Sequence, residues 1–146
     1  MEIGELFRFD DPGNHCFGCS PHNPSGLQLA FTRTGDRTVE CRTTVKPDFG
    51  GQPGVIHGGV QAALLDEVMG VAVHLAWPEG EDADCVTADF SLRYRRPAPT
   101  ATELVLVGEL DHVDGRNVHV RGEIRDGKGE VLTRGTARWV RIQRDR

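Results

Sequence analysis

Two short stretches early in the chain alternate between apolar and polar positions. Leu27, Leu29 and Phe31 fall on one face, as do Val39, Cys41, Thr43 and Val45, and Thr34-Gly35-Asp36 sits between them as a turn. A period of two marks half-buried strands. At Gly58 the period changes. From there to about Ala76, Val60, Leu64, Val68, Val71, Ala72 and Leu75 recur at helical spacing, while Ala62, Ala63, Leu65, Met69, Val73 and Ala76 fill much of the other side. A helix apolar nearly all round is predicted to be buried, and Pro78 and Gly80 end it. After an acidic loop, Glu79 to Asp84, the period returns to two. Val86, Ala88, Phe90, Leu92 and Tyr94 point one way, and Thr87, Asp89, Ser91, Arg93 and Arg95 the other. Three further strands are predicted near 102–113, 116–126 and 130–142, with Asp126-Gly127-Lys128-Gly129 as the hairpin connection of the last two.

The order β-β-α-β-β-β-β describes an α+β domain, with one long helix packed on an antiparallel sheet of about six strands. Residues 1–26, rich in Asp, Pro, Gly and Asn, read as an irregular lead-in packed on a domain that spans residues 27–146. The helix can cover only part of the sheet, so self-association is expected to cover more.

Composition narrows the function. The 146 residues contain 38% hydrophobic and 27% charged side chains, which fits one globular domain. A net charge of −5 argues against broad nucleic-acid or membrane-surface binding. No basic segment followed by an apolar stretch opens the chain, and no eighteen consecutive apolar residues occur. The expectation is a cytoplasmic protein with no bilayer span. With that address, Cys16, Cys19, Cys41 and Cys85 are expected to be free thiols.

The candidate chemistry lies in Gly54-Val55-Ile56-His57-Gly58-Gly59-Val60-Gln61-Ala62-Ala63-Leu64-Leu65-Asp66-Glu67. Two glycines open the helix, where the first N–H groups lack intrahelical acceptors and the dipole is positive. Such donors suit a carbonyl oxygen that turns into an oxyanion. Asp66 lies within the helix among Ala62, Ala63, Met69 and Gly70, small or slender neighbours that leave room for a substrate. Burial there raises a carboxylate's pKa and makes it a stronger base. A tight entry turn, and an aspartate that is exposed or satisfied by a donor such as Gln61 or His74, are the plainer readings of the two features. Gly58 and Asp66 are eight residues apart, roughly 12 Å along a helix axis. One helix cannot readily serve one carbonyl with both groups. Two antiparallel helices at a two-fold axis can, which predicts a homodimer with shared sites.

His-Gly-Gly followed after six residues by Asp66 resembles the hotdog-fold thioesterases, specifically their phenylacetate-pathway and THEM-type branch. The likeness runs from about Leu27 to Ile142 and includes Val86-Thr87-Ala88-Asp89-Phe90-Ser91-Leu92-Arg93-Tyr94-Arg95-Arg96-Pro97. It implies a sheet wrapped around the helix and hydrolysis of an acyl-CoA, with Asp66 as general base or nucleophile. It also implies that the Gly58 N–H polarises the thioester carbonyl and that Thr87 positions water or the carboxylate. Some members carry Asn six residues before the His; here Gly51 stands there, with Gln52 beside it as the substitute.

His57, Gly59, Gln52, Arg95 and Arg96 complete the expected substrate-binding set. His57 is expected to hold the glycine loop through a backbone hydrogen bond rather than to act as the base. The arginine cluster Arg93, Arg95 and Arg96 suits CoA phosphates or, equally, a solvated strand end. No cofactor and no metal are expected. Cys16-Phe17-Gly18-Cys19 with His15 and His22 offers zinc-type ligands at a spacing unlike the usual finger, and the segment also resembles THEM-like bacterial proteins, where it could cap the tunnel. His112, His119, Trp77 and Trp139 read as strand or packing residues. An acyl-CoA-binding domain without hydrolysis is the alternative function, and the sequence leaves open whether dimers pair into a tetramer.

Overall fold

The computed structural model describes residues 1–78, 81 and 84–143. Its seven strands are β1 (Leu6–Phe7), β2 (Phe31–Arg33), β3 (Thr38–Thr44), β4 (Asp84–Tyr94), β5 (Glu103–Asp114), β6 (Asn117–Arg125) and β7 (Val131–Ile142), and the helix α1 covers Gly58–Val73. The strands form one antiparallel sheet in the order β1-β2-β3-β5-β6-β7-β4. Helix on curled sheet is the hotdog arrangement. The count differs from six because the irregular lead-in contributes β1, whose two residues pair with β2. The expected acidic loop lies outside the described residues apart from Glu81 and Asp84.

Leu64, Leu65, Val68, Met69 and Ala72 are fully buried on α1, against Leu104, Leu106, Val118 and Ile124 of the sheet. By length and composition Gly58–Ala76 would suit a membrane span, but this face is committed to the sheet. Three glycines let the helix come close. Gly108, Gly122 and Gly135 stand side by side on β5, β6 and β7. A Cβ on Gly108 would collide with the Val68 carbonyl, and one on Gly122 would lie 2.8 Å from Met69 Cγ. The row makes a trough in which α1 lies. Beyond Val73 the chain tightens into a 3-10 turn, His74–Ala76.

The expected alternation on β4 fails at its start. The register shifts between Thr87 and Asp89, so Ala88 is an extra residue. Past it, Phe90 and Leu92 face inward as expected. Before it the phase is reversed: Thr87 pairs with Trp139 on the helix side, and Val86 is turned out, 46% exposed.

Candidate active site

The helix entry is fixed from three sides. His57 caps α1, its Nδ1 accepting the Gly59 N–H at 3.0 Å. Ile56 donates its N–H to the Ala98 carbonyl at 2.8 Å. Gln61, 4% exposed, donates Nε2–H to the Ile56 carbonyl and accepts at Oε1 from Thr133 Oγ1–H at 2.6 Å, which pins the first turn to β7. Buried amides with both ends satisfied hold one geometry. The Tyr94 hydroxyl donates to the Gly58 carbonyl at 2.7 Å. Among the described residues nothing accepts from the Gly58 N–H.

Around that entry lies a cavity of about 400 Å³, lined by Gln52, His57, Gly58, Tyr94, Arg95 and Arg96 among others. Four of the five expected binding residues therefore meet beside Gly58. Gly59 does not line it, and its N–H is already taken by His57. Arg96 is in an ion pair with Glu130 at 3.0 Å, whereas the Arg95 side chain meets no carboxylate among the described residues.

Asp66 is not in this cavity. It lies two turns further along α1, half-buried, and Thr87 Oγ1–H donates to its Oδ1 at 3.0 Å. Neither Gln61 nor His74 supplies that bond. The bulge at Ala88 is what turns Thr87 inward to do so. Burial pushes the Asp66 carboxyl above its ordinary range, and the Thr87 hydrogen bond, which favours the anion, pulls part of the way back. A half-buried carboxylate with one donor and open neighbours can take a proton from water or attack an electrophile.

The sequence profile of the thioesterase superfamily matches residues 53–133, from the glycine-rich loop through α1 and into β7, more than half of the chain. The chain belongs to the thioesterase superfamily. It is similar to the acyl-coenzyme A thioesterase THEM4 of Rattus norvegicus, 29% identical over 123 residues that cover 83% of this chain and 51% of the relative. It spans about half the length of the THEM4 relatives it matches. A thioesterase superfamily protein of known crystal structure is 35% identical, with a TM-score of 0.77 over 86% of this chain and 60% of the other. The BH2602 protein of Bacillus halodurans, solved with CoA, is 28% identical, with a TM-score of 0.62 over 70% of this chain and 66% of its own.

Two features of this region lie outside what the sequence pattern indicates. The alternation of β4 marks Tyr94 only as an inward strand residue, and its contact with Gly58 depends on where β4 ends. The cysteines also differ from expectation. Cys16 and Cys19 are joined in a disulfide, with Cα atoms 5.4 Å apart, while Cys41 and Cys85 are free. The turn that brings the Ser20 N–H to the Cys16 carbonyl folds the two cysteines together. His15 and His22 are not the groups beside them. His22 Nε2 meets Asp10 at 2.7 Å, and the third side chain at the cysteines is Glu67.

Proposed function

We propose that this protein hydrolyses an acyl-CoA to the free acid and CoA, with Asp66 as general base or nucleophile and the Gly58 N–H as oxyanion donor. The observation that carries this reading is Asp66 itself: a half-buried, pKa-raised carboxylate held by one hydroxyl, on the helix whose N-terminus opens the cavity. The names of the THEM4 relatives and the CoA in the Bacillus halodurans structure support the substrate class. Arg95, with Arg96 beside it, is the proposed contact for CoA phosphates.

The separation of Gly58 and Asp66 along one helix, roughly 12 Å, supports a site completed by a second protomer. In the proposed dimer, the thioester carbonyl faces one Gly58 N–H while the partner subunit's Asp66 acts on it, directly or through a water. Strand β4 supports this arrangement: it stands at one end of the strand order among the described residues, and it carries Thr87 and Tyr94.

The test is thiol release from a panel of acyl-CoAs by the wild type and Asp66→Ala, with dimer mass checked for both. Turnover that falls at least about a hundredfold in the variant is expected. Turnover that survives contradicts the role of Asp66. Acyl-CoA binding without thiol release from any panel member favours the binding domain.

A further inference from the structure

Glu67, the residue after Asp66, faces the lead-in rather than β4. Its Oε1 is 3.7 Å from Cys16 Sγ, and the two sulfurs and a Glu67 carboxylate oxygen all lie within 4.8 Å of one another. The loop closes tightly over this carboxyl: a Cβ on Gly18 would collide with Glu67 Cγ, so a larger residue there must displace the Glu67 side chain or the loop. No basic side chain pairs with Glu67 among the described residues. A mostly buried carboxyl without a cation is costly as a purely structural element. The two sulfurs are also inequivalent. Cys16 is half-buried and Cys19 is 8% exposed, and the Cys19 N–H points at Cys16 Sγ from 3.2 Å, where it would stabilise a thiolate. The bridge closes a loop of only three residues' separation, the kind that constrains the unfolded chain least.

We infer that Cys16 and Cys19 form a redox-active pair that exchanges with low-molecular-weight thiols, with Glu67 as its proton donor and acceptor. An incoming thiolate attacks the accessible Cys16 Sγ, forming a mixed disulfide and breaking the Cys16–Cys19 bond. Cys19 leaves as a thiolate and takes the Glu67 proton, which the first thiol's proton replaces through water. A second thiolate attacks the small-molecule sulfur of the mixed disulfide, and Cys16 is released as a thiolate beneath the Cys19 N–H and then takes up the second thiol's proton through water. One protein disulfide and two thiols become one dithiol and one small disulfide. Two electrons enter the protein, and the two thiol protons end on Cys19 and Cys16. Among the described residues, the titratable groups beside Glu67 are Cys16 and Cys19 from the lead-in and Asp66 from its own helix. Burial, then the charge of Asp66, pushes the Glu67 carboxyl up to about 7, so it can give and take a proton near neutral pH.

The test poises the full chain in reduced and oxidised glutathione at a series of ratios, traps thiols with N-ethylmaleimide and reads the Cys16–Cys19 peptide by mass spectrometry. A single two-electron transition within the glutathione range is expected, with both cysteines gaining label together. The wild-type reduction rate should show an inflection near pH 7, and Glu67→Gln should remove that inflection and slow exchange about tenfold. A pair that stays in one state at every ratio overturns the inference. So does a Glu67→Gln rate profile identical to wild type. Stoichiometric zinc uptake by the reduced chain that blocks reoxidation would identify a metal centre instead and also overturn it.

Discussion

Asp66 and Glu67 are adjacent on one helix, yet they meet different surroundings. Asp66 turns toward β4 and holds one hydroxyl, Thr87. Glu67 turns toward the lead-in and holds a sulfur pair. Burial raises both carboxyls, but the Thr87 bond favours the Asp66 anion whereas the charge of Asp66 pushes Glu67 further up. One position of rotation along a helix thus separates a carboxyl whose hydroxyl partner favours the anion from one whose charged neighbour favours the protonated form. The backbone is the same for both, and the partner side chain decides.

The largest effect expected from this comparison is on stability. The native Glu67 carboxyl, raised from 4.5 to about 7, binds its proton more tightly than in the unfolded chain. Its contribution is therefore complete below the unfolded value and lost as pH rises through about 7, of the order of 3 kcal/mol. Asp66 contributes in the same direction, so the difference between wild type and Glu67→Gln isolates Glu67. Denaturant melts at pH 4.5, 6 and 8 should show wild type losing stability with pH more steeply than the variant; parallel slopes would contradict the burial of Glu67.

Gly18→Ala comes next. Its new methyl must displace Glu67 or the cysteine loop, at a cost of about 1–3 kcal/mol in thermal unfolding. Turnover should stay within about threefold, because the loop faces the other carboxylate. A large loss of turnover with stability unchanged would merge the two sites. Thr87→Val is the gentlest change. It removes the one donor to Asp66, so the Asp66 pKa rises further and the rising limb of kcat against pH moves to higher pH, with kcat down about tenfold. An unmoved limb would mean that Thr87 does not hold the working form of Asp66.

Much of this could be read in the sequence, and the failures share a cause. Periodicity located α1, β3 and the last three strands because each buries one regular face. The helix-opening glycines, Asp66 and Thr87 were legible from the motif they resemble. The bulge at Ala88 was not, because an inserted residue keeps its β-propensity while reversing the phase of its neighbours. Reading Val86 as inward followed from that. Gly108, Gly122 and Gly135 are separate interruptions in three apolar runs, and only strand register places them in one row beneath α1. The disulfide and Glu67 are 51 residues apart between Cys16 and the carboxyl, and no local pattern joins them.

The central claim is that two neighbouring carboxylates do two separate jobs, and one measurement addresses it: the rate of thiol release from an acyl-CoA by Asp66→Asn and Glu67→Gln side by side at pH 8. The account predicts that Asp66→Asn falls at least about a hundredfold while Glu67→Gln stays within about threefold of wild type. Equal losses in both, or the larger loss in Glu67→Gln, would contradict it.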